Sequence, residues 1–340
     1  MQRCIQLAKN GLGTTYPNPL VGSVIVLNDK IIGEGWHMKA GQPHAEVNAI
    51  QSVTDSNQLS DATIYVNLEP CSHFGKTPPC ADLIVQKGIK KVVIGSKDPN
   101  PKVAGQGVQK LVEAGCEVIQ GVLEPECDQL NKRFFSFHAK KRPYIFLKWA
   151  QTTNGFVAPS TRNSQNPVWI TAPYARQLAH KLRAQEQAIL VGANTVVADN
   201  PSLTTRDWDG PSPVRIVVDP SLKIEKDSCV YNQEVKTIFI SSQSNENKSN
   251  IFFEQIDFSE NVGLQICDVL MKHQLQSLIV EGGTQTLQTF IDEALWDEAL
   301  VFTGNITFET GVVAPKLTGN LLSEESIGPD ILTHYKNTAH

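Results

Sequence analysis

The chain has 340 residues, 41% of them hydrophobic and 19% charged, with a formal net charge of -5. That length suits two globular domains, each able to bury its own core. The acidic balance, without a basic stripe, argues against nucleic acid or an anionic membrane as the main partner and leaves room for a small anion held by local cations.

No apolar run is long enough to cross a bilayer, and the polar start Met1–Asn10 does not read as a secretory leader. The seven cysteines are scattered apart from one close pair, Cys71 and Cys80. Such usage fits a reducing compartment, so a cytoplasmic protein is expected, with thiols as metal ligands or core packing.

In chain order, residues 2–9 carry apolar positions at helical spacing. A Gly/Pro loop at 11–19 ends that helix. Residues 21–27 and 31–36 read as strands joined by a turn at Asn28-Asp29. A helix over 44–53 and a strand over 62–68 follow. Thr77-Pro78 predicts a helix start, so a helix is expected from Pro78 to Gln86, stopped at Gly88. Strand 91–95, helix 107–114 and strand 117–119 complete a three-layer α/β pattern with a mixed sheet. One longer amphipathic helix is expected over 125–140.

Lys140-Lys141-Arg142-Pro143 marks the junction, giving domains at 1–142 and 143–340. A second α/β pattern begins there. Strands are expected at 144–150, 188–192, 214–218, 237–240, 278–280, 299–303 and 331–335, with helices at 172–184, near 265–274 and at 284–294. Residues 160–167 and 241–250 have loop composition.

Chemistry concentrates at Glu69-Pro-Cys71-Ser-His-Phe-Gly-Lys-Thr-Pro-Pro-Cys80, directly after a strand, and at His44-Ala45-Glu46, which opens a helix. One His and two Cys are a zinc ligand set with an open fourth position, and Glu46 stands where it can move the protons of a water there. Cys80 in the first helical turn is expected to have a lowered thiol pKa. A closed Cys₃His structural site with Cys4 or another thiol as fourth ligand is the alternative. Zinc deaminases carry H-x-E followed by P-C-x-x-C. Here H-A-E and P-C agree, but eight residues separate Cys71 from Cys80, and His73 and Lys76 lie among them.

These residues, with T-Y-P-N-P-L-V-G at 15–22 and D-P-N-P-K-V-A-G-Q-G at 98–107, closely resemble the bifunctional riboflavin-biosynthesis deaminase/reductase family. The resemblance runs over essentially the whole chain. It implies an N-terminal cytidine-deaminase-like domain binding Zn²⁺ through His44, Cys71 and Cys80, with Glu46 as proton shuttle. The implied substrate is 2,5-diamino-6-ribosylamino-4(3H)-pyrimidinone 5′-phosphate. By motif position Asn18, His37, His73 and Lys76 would hold it. Ser23 stands where the family often has Cys, a packing change.

In the second half no G-x-G-x-x-G occurs, and Gly75-Lys76-Thr77 lacks the first P-loop glycine because Pro70 stands there. Ile279-Val-Glu-Gly-Gly-Thr-Gln-Thr286 reads as strand, glycine pair and helix start, a turn able to take a pyrophosphate or simply a tight connection. Together with L-K-W-A (147–150), W-I-T (169–171), L-R-A (182–184), L-V-G (190–192), T-V-V-A-D (195–199) and P-S-L-T-x-R (201–206) it is similar to the same family's reductase domain, which resembles dihydrofolate reductase. The resemblance implies NADPH as cofactor and reduction of the ribosyl side chain to ribityl. It places Lys148, Asp199 and Glu281 near the reacting carbon and Arg183, Leu203 and Arg206 at the substrate and its phosphate. Ala150, Trp169, Thr195, Asp199, Gly282, Gly283 and Thr284 would line the cofactor.

Two residues depart from that pattern: Asn154 replaces an Asp, and Pro167 replaces a Ser. Both bear on reduction. The competing readings are a deaminase whose second domain only binds nucleotide or mediates assembly, and a nucleic-acid deaminase, against which the low pI counts. A small phosphorylated pyrimidine is the expected partner, with no nucleic acid and no membrane, in a homo-oligomer.

Overall fold

The computed structural model describes residues 1–72, 78–100, 104–161, 165 and 168–338. The chain forms two compact units, Met1–Lys141 and Arg142–His340. Among the described residues no helix is long and apolar enough to cross a membrane.

The first unit contains helix α1 (Gln2–Ala8), strands β1 (Gly22–Leu27) and β2 (Lys30–Trp36), and helix α2 (Ala45–Gln51). Strand β3 (Thr63–Leu68), α3 (Cys80–Gln86), β4 (Lys91–Ser96), α4 (Gln106–Glu113) and β5 (Glu117–Ile119) follow. The sheet order is β2-β1-β3-β4-β5, with β1 antiparallel to both neighbours and β3, β4 and β5 parallel. Alternation along the strands sorts the core into two layers. Ile25, Ile64 and Ile94 face α2, α3 and α4 through Ala49, Ile84 and Leu111. Val24 and Tyr65, on the opposite face, meet α1 through Cys4 and Leu7. Ser23 is buried, and its hydroxyl is satisfied by donating to Tyr65 O at 3.0 Å.

The expected single helix over 125–140 is segmented. Helix α5 (Glu124–Leu130) ends at Asn131, α6 (Lys132–Phe135) follows, and Ser136–Lys140 is a π-turn. Asn131 leaves the helical region (φ -98°, ψ 19°). Its amide accepts from Leu20 N at 2.8 Å and donates to Leu20 O at 2.9 Å. A buried backbone amide and carbonyl are thereby satisfied, which outweighs one regular helical turn.

The second unit contains β6 (Tyr144–Thr152), β7 (Phe156–Pro159), α7 (Pro173–Gln185), β8 (Ala188–Gly192) and α8 (Ala193–Asp199). Then come β9 (Val214–Val218), β10 (Thr237–Ser241), β11 (Ile251–Gln255), α9 (Val262–Lys272), β12 (Ser277–Gly282) and α10 (Thr284–Asp292). Strands β13 (Glu298–Gly304), β14 (Gly311–Val313), β15 (Asn320–Ile327) and β16 (Asp330–Lys336) complete it. The nine-stranded sheet has the order β11-β10-β9-β8-β12-β6-β13-β16-β15, and β7 pairs with β14. Strands β11 through β13 run parallel, and β16 and β15 add antiparallel edges.

Leu147, Leu278 and Val280 face α9 and α10 through Leu270 and Phe290. Ile279 and Ile189 face the other way, toward Val196 of α8 and Leu182 of α7. Period two then puts Lys148 and Glu281 on the α7 side of adjacent strands. From β8 the chain continues outward to β9, and from β12 in the opposite direction to β13. A crevice opens at the carboxyl ends where the two directions part.

Candidate functional site

In the first unit, β3 delivers Glu69 and Cys71, and the start of α3 delivers Cys80. Glu69 is buried, and its carboxylate accepts from Gly107 N at 2.9 Å and Gly105 N at 3.0 Å, and from Asp98 N and Val108 N at 3.3 Å. It anchors the start of α4 beside the cysteine segment. Gly107 is required there, because a Cβ would lie 2.0 Å from Pro70 O. Sequence reasoning gave Glu69 no role; its place directly before Pro70-Cys71 was the available signal.

His44 caps α2, and its Nδ1 lies 3.6 Å from Cys71 Sγ and 3.3 Å from Cys80 Sγ. All three donor atoms fall within 4.8 Å of one another. Those separations match edges of a tetrahedron with metal–ligand bonds of about 2.0–2.3 Å, the dimensions of zinc on nitrogen and sulfur. Cys4 is elsewhere, with its thiol directed at Tyr65 O, so among the described residues the closed Cys₃His alternative finds no fourth thiol at the triad.

The thiols divide differently from the expectation. Cys80 donates its backbone N–H, the first of α3, to Cys71 Sγ at 3.3 Å. Contact with the Cys80 thiol and with His44 holds Cys71 down to about 4, while the same contact and burial push Cys80 up. The first N–H of α3 thus goes to the Cys71 sulfur, whereas the sequence directs the helix start at Cys80.

Glu46 is fully enclosed beside this triad. Burial, reinforced by Cys71, pushes its carboxyl up to about 7. His37 is buried 5.4 Å from His44, ring to ring. Its Nδ1 faces Pro43 O at 3.1 Å, so that nitrogen carries the proton and donates. Its Nε2 then accepts from Asn18 Nδ2 at 3.0 Å. The structure thus brings Asn18 and His37 to the metal ligands. His73 and Lys76 lie outside the described residues, as does Pro167.

In the second unit a cavity of about 1130 Å³ occupies the crevice. Its wall includes Lys148, Asp199, Glu281, Arg183, Leu203 and Arg206. Ala150, Trp169, Thr195, Gly282, Gly283 and Thr284 line it as well. Glu281 bridges two cations, accepting from Lys148 Nζ at 2.8 Å and from Arg183 Nη2 at 2.7 Å. Burial would raise this carboxyl, but the charges of Arg183 and Lys148 outweigh it and bring the group down to about 2. Glu281 is thus a charged anchor for two cations.

The turn before α10 is built for close approach. Gly283 has φ +75°, and a Cβ on it would meet Thr195 Oγ1 at 3.4 Å and Thr286 Oγ1 at 3.6 Å. A Cβ on Gly282 would lie 2.9 Å from Val191 Cγ1. Bare backbone flanked by two threonine hydroxyls at the start of a nine-residue helix fits a pyrophosphate. At the cavity wall Trp169 is 56% exposed, with the Arg176 guanidinium 4.2 Å over its ring. Asn154 is not among the cavity residues. It accepts from Thr152 Oγ1 at 2.7 Å and donates to Phe308 O at 2.8 Å, so here it is a turn residue beside Gly155 (φ +80°).

The family described as the cytidine and deoxycytidylate deaminase zinc-binding region matches residues 1–96, and the RibD C-terminal domain family matches residues 143–328. Fold, ligand triad and cavity together define a two-part enzyme, a zinc-binding deaminase joined to a reductase. The riboflavin biosynthesis protein RibD of Aquifex aeolicus is 42% identical over 333 residues, covering 96% of this chain and 89% of that protein. That of Escherichia coli is 37% identical over 338 residues, covering 94% and 88%. The crystal structure of a Thermotoga maritima diaminohydroxyphosphoribosylaminopyrimidine deaminase/5-amino-6-(5-phosphoribosylamino)uracil reductase superposes with a TM-score of 0.90 at 37% identity, covering 99% of this chain and 97% of its own. The chain belongs to the RibD family of riboflavin biosynthesis proteins.

Proposed function

We propose that the chain deaminates 2,5-diamino-6-ribosylamino-4(3H)-pyrimidinone 5′-phosphate in the unit Met1–Lys141 and then reduces its ribosyl side chain with NADPH in the unit Arg142–His340, which begins one residue before the expected junction because the Arg142 guanidinium pairs with Asp297. The observation that carries the first step is the convergence of His44, Cys71 and Cys80 with Glu46 enclosed beside them. His44, Cys71 and Cys80 would hold zinc, which would supply a water acidified toward a pKa of about 7. Glu46, poised near neutrality, accepts that water's proton and returns a proton to the departing amine as ammonia. Asn18, His37, His73 and Lys76 hold the ring and its ribose phosphate. The Asn18–His37–Pro43 chain fixes the orientation of the first two.

In the reductase cavity Gly282, Gly283 and Thr284 would hold the pyrophosphate of NADPH, and Ala150, Trp169, Thr195 and Asp199 would line the rest of the cofactor. NADPH supplies the hydride when bound. Lys148, held by Glu281 at the cavity wall, would face the reacting C1′ carbon and serve the proton transfers with Asp199. Arg183 and Arg206 receive the substrate phosphate beside Leu203. Asn154 is held in its turn by Thr152 and the Phe308 carbonyl, and no step of this reading uses a carboxylate there.

The substrate is a small phosphorylated pyrimidine, and no basic stripe calls for nucleic acid. Seven free thiols support a cytoplasmic setting. A homo-oligomer is part of the same proposal, to be checked by light scattering. The deciding experiment mixes zinc-loaded protein, substrate and NADPH, and follows ammonia release and loss of reduced nicotinamide. Both signals are expected. Ammonia without nicotinamide oxidation, even when deaminated substrate is added directly, would remove the reductase half.

A further inference from the structure

His180 lies on α7 three residues before Arg183, so both project from one face of the helix. Its ring is buried and forms part of the reductase cavity wall. The Arg206 backbone N–H donates to His180 Nδ1 at 3.0 Å. A backbone amide is only a donor, so Nδ1 carries the lone pair and the ring proton sits on Nε2. That nitrogen is 3.7 Å from the Asp207 carboxylate.

Other α7 residues grip the same loop. Arg183 Nη1 donates to Thr204 O at 3.1 Å, and Lys181 Nζ lies 5.2 Å over the Trp208 ring. Ala184 packs so closely on Gly210 that a Cβ there would lie 2.7 Å from its own. Within the loop, the Arg206 guanidinium donates to Ser202 Oγ. The charged groups around the ring are Arg183, Arg206, Asp207 and Glu281; burial first, then Arg183, keep it neutral down to about pH 4.

We propose that His180 is a positioning residue for substrate selection: by accepting the Arg206 N–H it fixes the segment Ser202–Arg206 so that the Arg206 guanidinium is presented to the cavity that Arg183 also enters, as a seat for the substrate's phosphate. This rests on the reading above that Arg206 holds that phosphate. Histidine suits the task because its neutral ring combines a fixed acceptor with enough apolar surface to pack under the loop. The consequence is preference for the phosphorylated substrate over its dephosphorylated counterpart.

The test compares reduction of the deaminated substrate with and without its 5′-phosphate by wild type, Arg206→Ala, His180→Ala and His180→Asn. Arg206→Ala is expected to lower the preference for the phosphorylated form by about 10- to 100-fold. His180→Ala is expected to lower it about tenfold, through KM for the phosphorylated form more than through kcat. His180→Asn, whose Oδ1 accepts the same N–H, is expected to restore most of it. Binding of ribose 5-phosphate by calorimetry on the same variants needs no turnover and should rank them identically.

Equal losses on both substrate forms in His180→Ala, without rescue by His180→Asn, would assign His180 a purely structural role and overturn the inference. Retained preference in His180→Ala while Arg206→Ala loses it would also overturn it. Retained preference in Arg206→Ala would instead overturn the phosphate reading beneath it. If His180→Ala does not fold, His180→Leu against His180→Asn makes the same comparison, because both fill the site and only Asn accepts.

Discussion

Replacing Glu281 with Gln separates its electrostatic role from its shape. The carboxylate sits between Lys148 and Arg183, and the three side chains are only 12%, 13% and 13% exposed. The two cations lower this carboxyl from 4.5 to about 2. That fall is worth ~3 kcal/mol of native-state stability. Gln keeps the size and one acceptor but leaves two enclosed cations without a counter-charge, so the expected loss is ~3–5 kcal/mol. Four of the five tryptophans (149, 169, 208 and 296) lie in Arg142–His340, so tryptophan fluorescence in urea reports mainly on that unit.

With a slope of roughly 2–3 kcal/mol per molar urea, the midpoint should fall by about 1–2 M. Adding Lys148→Met to Glu281→Gln should recover part of the loss, because one unpaired charge is gone. The sign with pH is fixed. A depressed carboxyl contributes its full stability above pH 4.5 and loses it as pH falls through about 2. The gap between wild type and Glu281→Gln should therefore close across that window. A midpoint shift below about 0.3 M at neutral pH would refute the view of Glu281 as a charged anchor in a desolvated site.

Glu46→Gln should keep zinc by metal analysis and lose deamination by about 10²–10⁴-fold in ammonia release, the range for a lost general acid–base. Cys71→Ala should abolish zinc retention after dialysis, since it removes the thiolate that α3 and His44 favour; full metal content would refute the ligand assignment. Lys148→Ala should suppress nicotinamide oxidation while ammonia release continues, measured in one reaction mixture. His180 predicts a second pH effect. Its ring is pushed down from 6.5 to about 4, so its contribution is present above 6.5 and is lost as pH falls toward 4, seen as a declining unfolding midpoint that His180→Asn lacks.

The metal triad was legible because chemistry and local structure coincide there. A strand end, two prolines and a helix start leave Cys71 and Cys80 few places to be, and H-A-E opens a second helix nearby. The reductase cavity was legible through family motifs; its residues come from strand ends, loops and three helices (α7, α8 and α10) that no local spacing connects. Helix α8 was missed because Thr195-Val196-Val197 is β-branched and reads against a helix, yet burial of Ala193 and Val196 on β8 decides the matter.

Strand β15 was missed because Asn320–Ile327 mixes Glu and Ser with its leucines and buries little. Pairing with β16 makes it a strand. His180 gave no signal by itself, since its partner is a backbone N–H 26 residues away. The break at Asn131 escaped for the same reason, because Leu20, 111 residues earlier, supplies the groups that stop the helix.

That last contact also orders events during synthesis. Leu20 lies just beyond Asn18, and its carbonyl accepts from both Asn67 and Asn131, while its N–H needs Asn131. His44, Cys71 and Cys80 leave the ribosome roughly 50 residues before Asn131 does. At about 5–20 residues per second that is an interval of several seconds. The metal ligands are therefore all available to zinc while the loop carrying Asn18 still lacks its latch. A nascent chain stopped near residue 120 has every zinc donor but leaves Leu20 N–H without its partner, so metal capture can precede completion of the substrate pocket around it.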